Sequence, residues 1–262
     1  MQATLCDLSG LGVLVTRPVD QAEGLCQAIE AGGGRAIRLP AIAIEAMPDT
    51  AGAAALLASA YDFQRIIFIS RNAATHGIPL LPEGFQPTPD VQLIAVGEAT
   101  AQTLAARGIG PVALPERSDS EGLLALAELR QVNGLKILIV RGEGGRSMLA
   151  DTLTARGARV DLAEVYRRVL PDVSAAAARV LEGWDNEVQA VTATSGEVLA
   201  NLCRLLKQDP RLFDTPLVVV SQRNLDDAVR RGFNRVFNAG GASDEALVKT
   251  LCRLNPKTPT AG

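Results

Sequence analysis

The sequence predicts an α/β fold with two similar parallel-sheet lobes that arise from an internal duplication and are joined by a two-stranded linker. Three observations support this prediction. Short apolar runs alternate with segments of helical spacing, the pattern recurs after 124 positions, and two extended proline-containing segments interrupt it. Strands that alternate with helices are typical of parallel α/β layers.

The predicted strands are short and almost entirely apolar, as expected of strands that are covered on both faces. They comprise residues 13–15, 65–69, 92–96, 112–114, 136–140, 188–193, 217–220 and 235–237. Such runs are too short for buried helices, and turn residues separate them from the segments that follow.

The segments between these strands carry apolar residues at helical spacing. The predicted helices include residues 21–31, 98–108, 122–130 and 197–207. Ala-rich helices are predicted to end at glycines, because glycine adopts the left-handed conformation of a helix C-terminus at little cost. These glycines are Gly33, Gly108, Gly157 and Gly232.

The duplication becomes visible when the chain is shifted by 124 positions against itself. Arg17 then meets Arg141 and Gly33 meets Gly157, with a slip of one residue near Ser70. Identities are few, but the order of strands, glycines and helices persists. Two halves of the chain therefore share one plan.

Each half contains an extended segment that carries prolines and leads into a new helix. The predicted division is residues 1–37 with 172–262 in one domain, 46–162 in the other, and 38–45 and 163–171 as linker strands. Sequential domains divided near Asn133 remain an alternative that the repeat does not exclude.

The loops after the strands are the predicted ligand site, because ligands of open parallel sheets bind beyond the carboxyl ends of the strands. These loops are rich in serine, threonine, asparagine, glycine and arginine. Free amides at helix starts and the helix dipole favour an anionic ligand. The same residue types also cap helices, so capping is the competing interpretation for any single loop.

Composition argues against several classes of protein. The formal net charge is -3 and aromatic residues make up 3% of the chain, which is unlike a general nucleic-acid binder. No segment approaches the apolar length that crosses a membrane, and the N-terminus lacks the pattern of a secretion signal. We therefore expect a cytoplasmic protein without nucleic-acid or membrane partners.

Cysteine and histidine patterns do not indicate a metal site. Cys6, Cys26, Cys203 and Cys252 lack the spacing of a zinc site or a disulfide framework, so we expect them to be reduced. His76 is the only histidine and is expected to pack or cap near a helix end. No metal ligand set is therefore predicted.

The glycine-rich segment 141–147 superficially resembles a dinucleotide-binding loop. Ser147 stands where the third glycine is required, and Glu164 lies slightly late for a ribose-binding acid. A P-loop is also absent from the sequence. The acidic residues of DSEG and SDEA are interpreted as charges at helix starts.

Several motifs, in their order and spacing, resemble the uroporphyrinogen-III synthase family. They are VLVTRP, IIFISRNA, IAVGEATAQTL, ILIVRGEGGRSMLADTLTARGARV and EVYRR. Each motif alone is weak, but the resemblance covers almost the whole chain. It implies two α/β domains joined by a two-stranded linker, with the first strand and helix swapped into the second domain and the active site in the inter-domain cleft.

The resemblance implies a hydro-lyase of tetrapyrrole and heme biosynthesis. Its substrate would be hydroxymethylbilane, a linear tetrapyrrole rich in carboxylates, and its product uroporphyrinogen III, formed with loss of water and inversion of ring D through a spiro intermediate. The resemblance further implies a monomer without cofactors that makes transient contact with hydroxymethylbilane synthase. Because the bilane closes spontaneously to the type I isomer, we expect the enzyme mainly to control substrate conformation.

Tyr166 in EVYRR matches the family tyrosine to which the role of the acid is given. A phenol keeps its proton at neutral pH and can donate it to the leaving hydroxyl group. Packing within the linker is the competing interpretation of Tyr166.

The resemblance also indicates substrate-binding residues in both halves. They are Arg17, Ser70, Asn72, Thr100, Arg141, Arg146, Thr194 and Ser195. The arginines are expected to pair with substrate carboxylates, and structural ion pairs are their competing interpretation. Ala193 and Glu197 depart from the family pattern, which leaves the second-half contacts open.

Two other classes of function remain as hypotheses. A two-lobed module that binds or senses a small anion would share the polar cleft but perform no chemistry. A nucleotide-dependent transferase is a weaker third hypothesis, since a phosphate-binding motif is missing. Turnover of a substrate distinguishes an enzyme from a binding module.

Overall fold

A computed structural model describes residues 7–145 and 147–254 of the chain. Strands and helices alternate along these residues. The strands are β1 (Gly12–Val15), β2 (Arg35–Arg38), β3 (Ala43–Ala46), β4 (Arg65–Phe68), β5 (Gln92–Ala95), β6 (Val112–Ala113), β7 (Lys136–Gly142), β8 (Arg159–Val169), β9 (Ala190–Ala193), β10 (Leu217–Val219) and β11 (Val236–Asn238). The helices are α1 (Val19–Ala31), α2 (Ala51–Ala58), α3 (Arg71–Gly77), α4 (Glu98–Ala105), α5 (Ser120–Ala125), α6 (Met148–Ala155), α7 (Ser174–Glu187), α8 (Gly196–Leu205), α9 (Pro210–Asp214), α10 (Gln222–Arg230) and α11 (Asp244–Leu254).

The first sheet has the strand order β11-β10-β9-β1-β2, and its neighbouring strands are parallel. Side chains from these strands enter two separate cores. Leu14 and Val191 are buried in one core, whereas Val13 and Val218 are buried in the other. Both faces of this sheet are therefore covered, which explains why its inner strands β1, β9 and β10 are almost entirely apolar.

The second sheet has the strand order β3-β8-β7-β4-β5-β6. The four pairs from β8 to β6 are parallel. Ile66 and Leu138 are buried in one core of this sheet, and Ile67 and Ile139 are buried in a second core. The predicted α/β class with parallel sheets is confirmed.

The chain divides into two compact units. One unit contains the chain up to Ala43 and from Val169 onward, and the other contains Ile44–Arg168. The two division points lie within segments 38–45 and 163–171. Asn133 lies inside the second unit.

The four glycines predicted to end helices all have a positive φ. The φ angles are 82° at Gly33, 72° at Gly108, 90° at Gly157 and 96° at Gly232. A side chain would be strained in this conformation, so glycine is the residue that ends these helices at least cost. The predicted helix stops are confirmed.

The predicted helix over residues 122–130 is wrong in its second half. The chain leaves the helix at Leu126, whose ψ is 140°. Arg156 Nη1 donates hydrogen bonds to the carbonyl oxygens of Leu124 and Leu129, at 3.0 and 2.6 Å. A side chain from outside the segment thus satisfies the Leu124 carbonyl, which in a continuous helix would accept from the Glu128 N–H.

The cysteines follow the prediction in part. Cys26 and Cys203 are free and buried, and burial raises the pKa of both thiols. Cys252 is disulfide-bonded, so the prediction of a reduced thiol there is wrong. Cys6 lies outside the described residues. The sequence prediction missed the bonded cysteine because the spacing of cysteines along a chain does not reveal which of them are close in space.

Gly12 at the start of β1 has no space for a side chain. An added Cβ would overlap the carbonyl oxygen of Glu187, a backbone atom at the end of α7. We expect Gly12→Ala to lower the free energy of unfolding by about 1–3 kcal/mol through overpacking, as measured by urea denaturation. Gly52→Ala is the matched control, because an added Cβ there meets nothing within 4 Å. It should leave stability unchanged or slightly higher, and equal losses in the two variants would contradict the packing argument.

Candidate active site

The loop between β4 and α3 presents Ser70 at the carboxyl edge of the second sheet. The backbone of Ser70 is extended, with φ -166° and ψ 161°, and its Oγ accepts a hydrogen bond from the Ala73 N–H at 2.9 Å. Serine is favoured here because its short side chain reaches a free amide in the first turn of the helix. This local geometry holds the Ser70 hydroxyl in one place.

Tyr166 lies on β8, opposite the end of β7. Gly142 is its partner in the strand register, and the Glu143 N–H donates to the Tyr166 carbonyl oxygen at 2.8 Å. A Cβ on Gly142 would come within 2.5 Å of Tyr166 Cζ. The missing side chain of Gly142 therefore makes room for the phenol ring.

The structure brings two of the predicted site residues together. The Tyr166 Oη and Ser70 Oγ atoms are 3.1 Å apart, although 96 positions separate the two residues. Tyr166 is 1% exposed, whereas Ser70 is half-buried. The two hydroxyl groups form a pair in which Ser70 is the more accessible member.

Two further side chains surround the Tyr166 ring. The His76 ring stacks on it with centroids 5.9 Å apart, and the Arg168 guanidinium carbon lies 5.7 Å from the ring centroid. Arg168 Nη2 also donates to Tyr166 Oη at 3.4 Å. Arg168 was not among the predicted site residues. Strand alternation could have indicated it, because residues two apart on a strand share one face and Arg168 lies two positions after Tyr166.

Arg141, a predicted substrate-binding residue, is only 4% exposed. Its Nε donates to the Gly142 carbonyl oxygen at 3.2 Å and lies 3.8 Å from Glu164 Oε1. An added Cβ on Gly145 would overlap the Arg141 guanidinium group. The guanidinium therefore packs directly beneath the backbone of the loop that follows β7.

Thr100 and Asn72 lie in the first turns of helices that follow strands of the second sheet. Thr100, in α4, is 3% exposed, and its N–H donates to the Gly97 carbonyl oxygen at 3.0 Å. Asn72, in α3, is half-buried. Both residues therefore start helices at the sheet edge where Ser70 lies.

Arg17, Thr194 and Ser195 belong to the first unit, at the carboxyl ends of the neighbouring strands β1 and β9. Ser195 Oγ accepts a hydrogen bond from the Val198 N–H at 3.1 Å and so caps α8. Arg17 forms an ion pair with Asp244. A structural ion pair was the competing interpretation of Arg17, and this ion pair is present. Binding of substrate by Arg17 stays a prediction.

The acidic residue at the start of α5 is engaged as a helix cap. Asp119 Oδ1 accepts the Gly122 N–H at 2.7 Å, and Arg117 Nη2 lies 2.6 Å from Oδ2. The hydrogen bond from Gly122 and then the one from Arg117 lower the pKa of the Asp119 carboxyl. The prediction that this carboxylate serves a helix start is confirmed.

Three further expectations from the sequence concern Arg146, metal ligands and membrane-spanning helices. Arg146 lies outside the described residues. Within residues 7–145 and 147–254, no group of three or more histidine, cysteine, aspartate or glutamate residues could hold a metal ion. In that same part of the chain, no helix has both the length and the apolar character needed to span a membrane.

Comparison with known proteins identifies similar sequences. The family model described as uroporphyrinogen-III synthase HemD matches residues 23–249. Uroporphyrinogen-III synthase of Escherichia coli (strain K12) is 32% identical over 246 residues, which cover 92% of this chain and 100% of that protein. A protein named putative uroporphyrinogen-III synthase from Methanothermobacter thermautotrophicus is 30% identical over 194 residues, with 73% of this chain and 76% of that protein covered.

Two solved structures share the fold. A mutant uroporphyrinogen III synthase from the extremely thermophilic bacterium Thermus thermophilus superposes with a TM-score of 0.61 at 20% identity, covering 93% of this chain and 98% of that chain. Uroporphyrinogen-III synthetase from Helicobacter pylori has a TM-score of 0.60 at 15% identity, covering 94% of this chain and 100% of that chain. At these identities the likeness concerns the fold alone.

The position of Arg141 leads to a test of its role. We expect Arg141→Met to lower the free energy of unfolding by about 1–3 kcal/mol, because the loop after β7 loses a buried, charged hydrogen-bond donor. Urea denaturation measures this loss. Arg159→Met, at an exposed arginine on β8, is the control and should change stability little. Unchanged stability in Arg141→Met would contradict the structural role of the guanidinium.

Proposed function

Because the chain belongs to the uroporphyrinogen-III synthase family, we propose that it cyclises hydroxymethylbilane to uroporphyrinogen III. This proposal is supported mainly by the family model that matches residues 23–249. The alignment with the Escherichia coli enzyme also covers the full length of that relative. The proposed enzyme is a monomeric, cytoplasmic hydro-lyase that needs no cofactor. Brief contact with hydroxymethylbilane synthase would favour transfer of a substrate that otherwise closes spontaneously.

The proposed reaction has two demands. The substrate must lose its hydroxyl group as water, which leaves an electrophilic azafulvene. Ring D must then be attacked at its already substituted carbon, so that a spiro intermediate forms, fragments and recloses with ring D inverted. Attack at the substituted carbon depends on the conformation of the substrate. Most of the selectivity for the type III isomer therefore comes from holding the substrate in one conformation.

We propose Tyr166 as the source of the proton that the leaving hydroxyl group requires. Its Oη is 3.1 Å from Ser70 Oγ, and the Arg168 guanidinium donates to the same oxygen at 3.4 Å. A cation beside a phenol stabilises the negative charge that develops as the proton leaves. The phenol ring is buried, whereas Arg168 is exposed and covers the ring from the solvent side.

The proposed substrate contacts follow strand ends in both units. They are Arg17, Ser70, Asn72, Thr100, Arg141, Arg146, Thr194 and Ser195. Hydroxyl and amide groups at helix starts suit acetate and propionate groups, because they add to the favourable field of the helix N-terminus. Guanidinium groups have several donors, so Arg17 and Arg141 can contact the protein and still bind a carboxylate.

We further propose that the two units arose by duplication with exchange of the first two strands. The shared strand order supports this: β2-β1-β9-β10-β11 in one sheet corresponds, under the shift of the sequence repeat, to β8-β7-β4-β5-β6 in the other. The first sheet thus combines two strands from the first half of the chain with three from the second, and the second sheet combines two strands from the second half with four from the first, of which β3 is the additional edge strand. In this proposal, segments 38–45 and 163–171 are the linker strands.

The function is tested by the isomer that the protein produces. Hydroxymethylbilane is generated in situ from porphobilinogen by its synthase, the protein is added, and the oxidised products are separated by chromatography. We expect uroporphyrin III to replace uroporphyrin I in proportion to the protein added. Type I alone, from a sample shown to be folded by circular dichroism, would overturn the proposal and favour the anion-binding module.

Removal of the Tyr166 hydroxyl tests the acid assignment. We expect Tyr166→Phe to slow turnover by about 10-fold to 100-fold, at or below the lower end for a general acid, because the bilane loses its hydroxyl group readily. Initial rates of type III formation measure this change. Tyr61→Phe is the matched control, since Tyr61 is the other tyrosine and is 49% exposed. A full rate with full type III selectivity in Tyr166→Phe would remove Tyr166 from the mechanism.

A further inference from the structure

The direction of the hydrogen bond between Tyr166 and Ser70 follows from the groups around it. A guanidinium group can only donate hydrogen bonds, so Arg168 Nη2 donates to one of the two lone pairs of Tyr166 Oη. Geometry alone permits either hydroxyl of the pair to donate across the 3.1 Å that separates Tyr166 Oη from Ser70 Oγ. Among residues 7–145 and 147–254, donation from Tyr166 is the direction that gives the buried phenol proton an acceptor, so Tyr166 is assigned as the donor and Ser70 as the acceptor.

The bonds of Ser70 then determine where its own proton points. A serine hydroxyl has two lone pairs and one proton. Ser70 Oγ accepts from the Ala73 N–H at 2.9 Å and from the Tyr166 hydroxyl at 3.1 Å. Both lone pairs are used, so the Ser70 proton is directed away from both of these partners.

Accessibility differs between the two hydroxyl-bearing residues. Tyr166 is 1% exposed and is enclosed by Gly142, by the stacked His76 ring and by Arg168. Ser70 is half-buried at the carboxyl edge of the sheet. A ligand at this edge can meet the Ser70 hydroxyl without any movement of Tyr166.

We propose that Ser70 delivers the proton to the substrate, that Tyr166 acts through Ser70, and that Arg168 is a positioning residue that sets the direction of this relay. The inference rests on the proposed synthase function. It changes which side chain touches the reacting oxygen, from the buried phenol to the more accessible serine.

The proposed step balances as follows in atoms and charge. The bond between the methylene carbon and the hydroxyl oxygen of the bilane breaks, and its electron pair stays on the oxygen, which leaves the pyrrole and its methylene carbon as the protonated, cationic form of the azafulvene. The Ser70 proton moves to that oxygen to form water, while the Tyr166 proton moves to Ser70 Oγ. The phenolate faces the Arg168 guanidinium, and the proton lost from the pyrrole system during ring closure returns to the relay.

Arg168 and Arg167 are neighbours with different partners, which provides a control. Arg168 Nη2 donates to Tyr166 Oη at 3.4 Å, whereas Arg167 Nη2 donates to Glu45 Oε2 at 3.0 Å. Successive residues of a strand point to opposite faces, so the two guanidinium groups differ in surroundings while they share a backbone. Arg167→Met therefore reports the general effect of losing an arginine from β8.

Ser70 variants separate proton delivery from helix capping. Asparagine caps a helix as well as serine does and can accept from both the Ala73 N–H and the Tyr166 hydroxyl, but its amide cannot pass on a proton. Threonine keeps a hydroxyl group. We expect Ser70→Asn to lower kcat by about 10-fold to 100-fold and Ser70→Thr to retain most of it. Thermal denaturation verifies that each variant is folded.

The relay also predicts how the variants combine. Ser70→Asn with Tyr166→Phe should be no slower than the slower single variant, because residues that act as one unit do not contribute additively. Arg168→Met should lower kcat about 10-fold with little change in KM, and Arg168→Lys should restore most of kcat, because a cation and donor are kept. Arg167→Met should keep the wild-type kcat.

The outcomes separate failure of the relay from failure of the function. Wild-type protein that forms only the type I isomer overturns the synthase function itself. Wild-type protein that forms type III, with full kcat in Ser70→Asn and a slowed Tyr166→Phe, overturns the relay, because the phenol then reaches the substrate directly. Multiplicative losses in the double variant, or equal losses in Arg167→Met and Arg168→Met, also overturn it.

Discussion

The pairing of β7 with β8 is the constraint on which the candidate site depends. The parallel register runs from Lys136 opposite Arg159 to Gly142 opposite Tyr166, with an irregularity between Arg141 and Gly142. A slip of one residue would turn Tyr166 to the other face of the sheet. The hydrogen-bonded ladder therefore places the phenol, and the missing Cβ of Gly142 gives its ring the space to lie there.

Helix capping and chemistry are compatible roles for the same hydroxyl group. Ser70 Oγ caps α3 through Ala73 and still lies 3.1 Å from Tyr166 Oη. Ser195, at the corresponding place in the other sheet, caps α8 through Val198. Because an oxygen has two lone pairs and one proton, a cap uses only part of its capacity. The cap also immobilises the hydroxyl, which is what a proton-transfer step requires of its geometry.

The two arginines at equivalent strand ends have different protein partners. Arg17 pairs with Asp244, whereas Arg141 bonds to the Gly142 carbonyl oxygen beneath the following loop. Arg17 also donates to the Ala242 carbonyl oxygen, so in both places a guanidinium group holds loop backbone at the carboxyl end of a strand. Several donors on one planar group make this possible, since one part can hold a loop while another faces a ligand.

Local sequence patterns were enough to predict the α/β class, the eight apolar strands and the glycine helix stops. These features depend on local properties, namely apolar runs that need cover on both faces and glycines that need a positive φ. The break at Leu126 and the bonded Cys252 were not predictable, because each depends on a partner from another segment. Only the tertiary structure decided that Tyr166 meets Ser70 with Arg168 beside it. Residues 96 positions apart come within 3.1 Å only through the order and register of the strands that carry them, which no local pattern specifies.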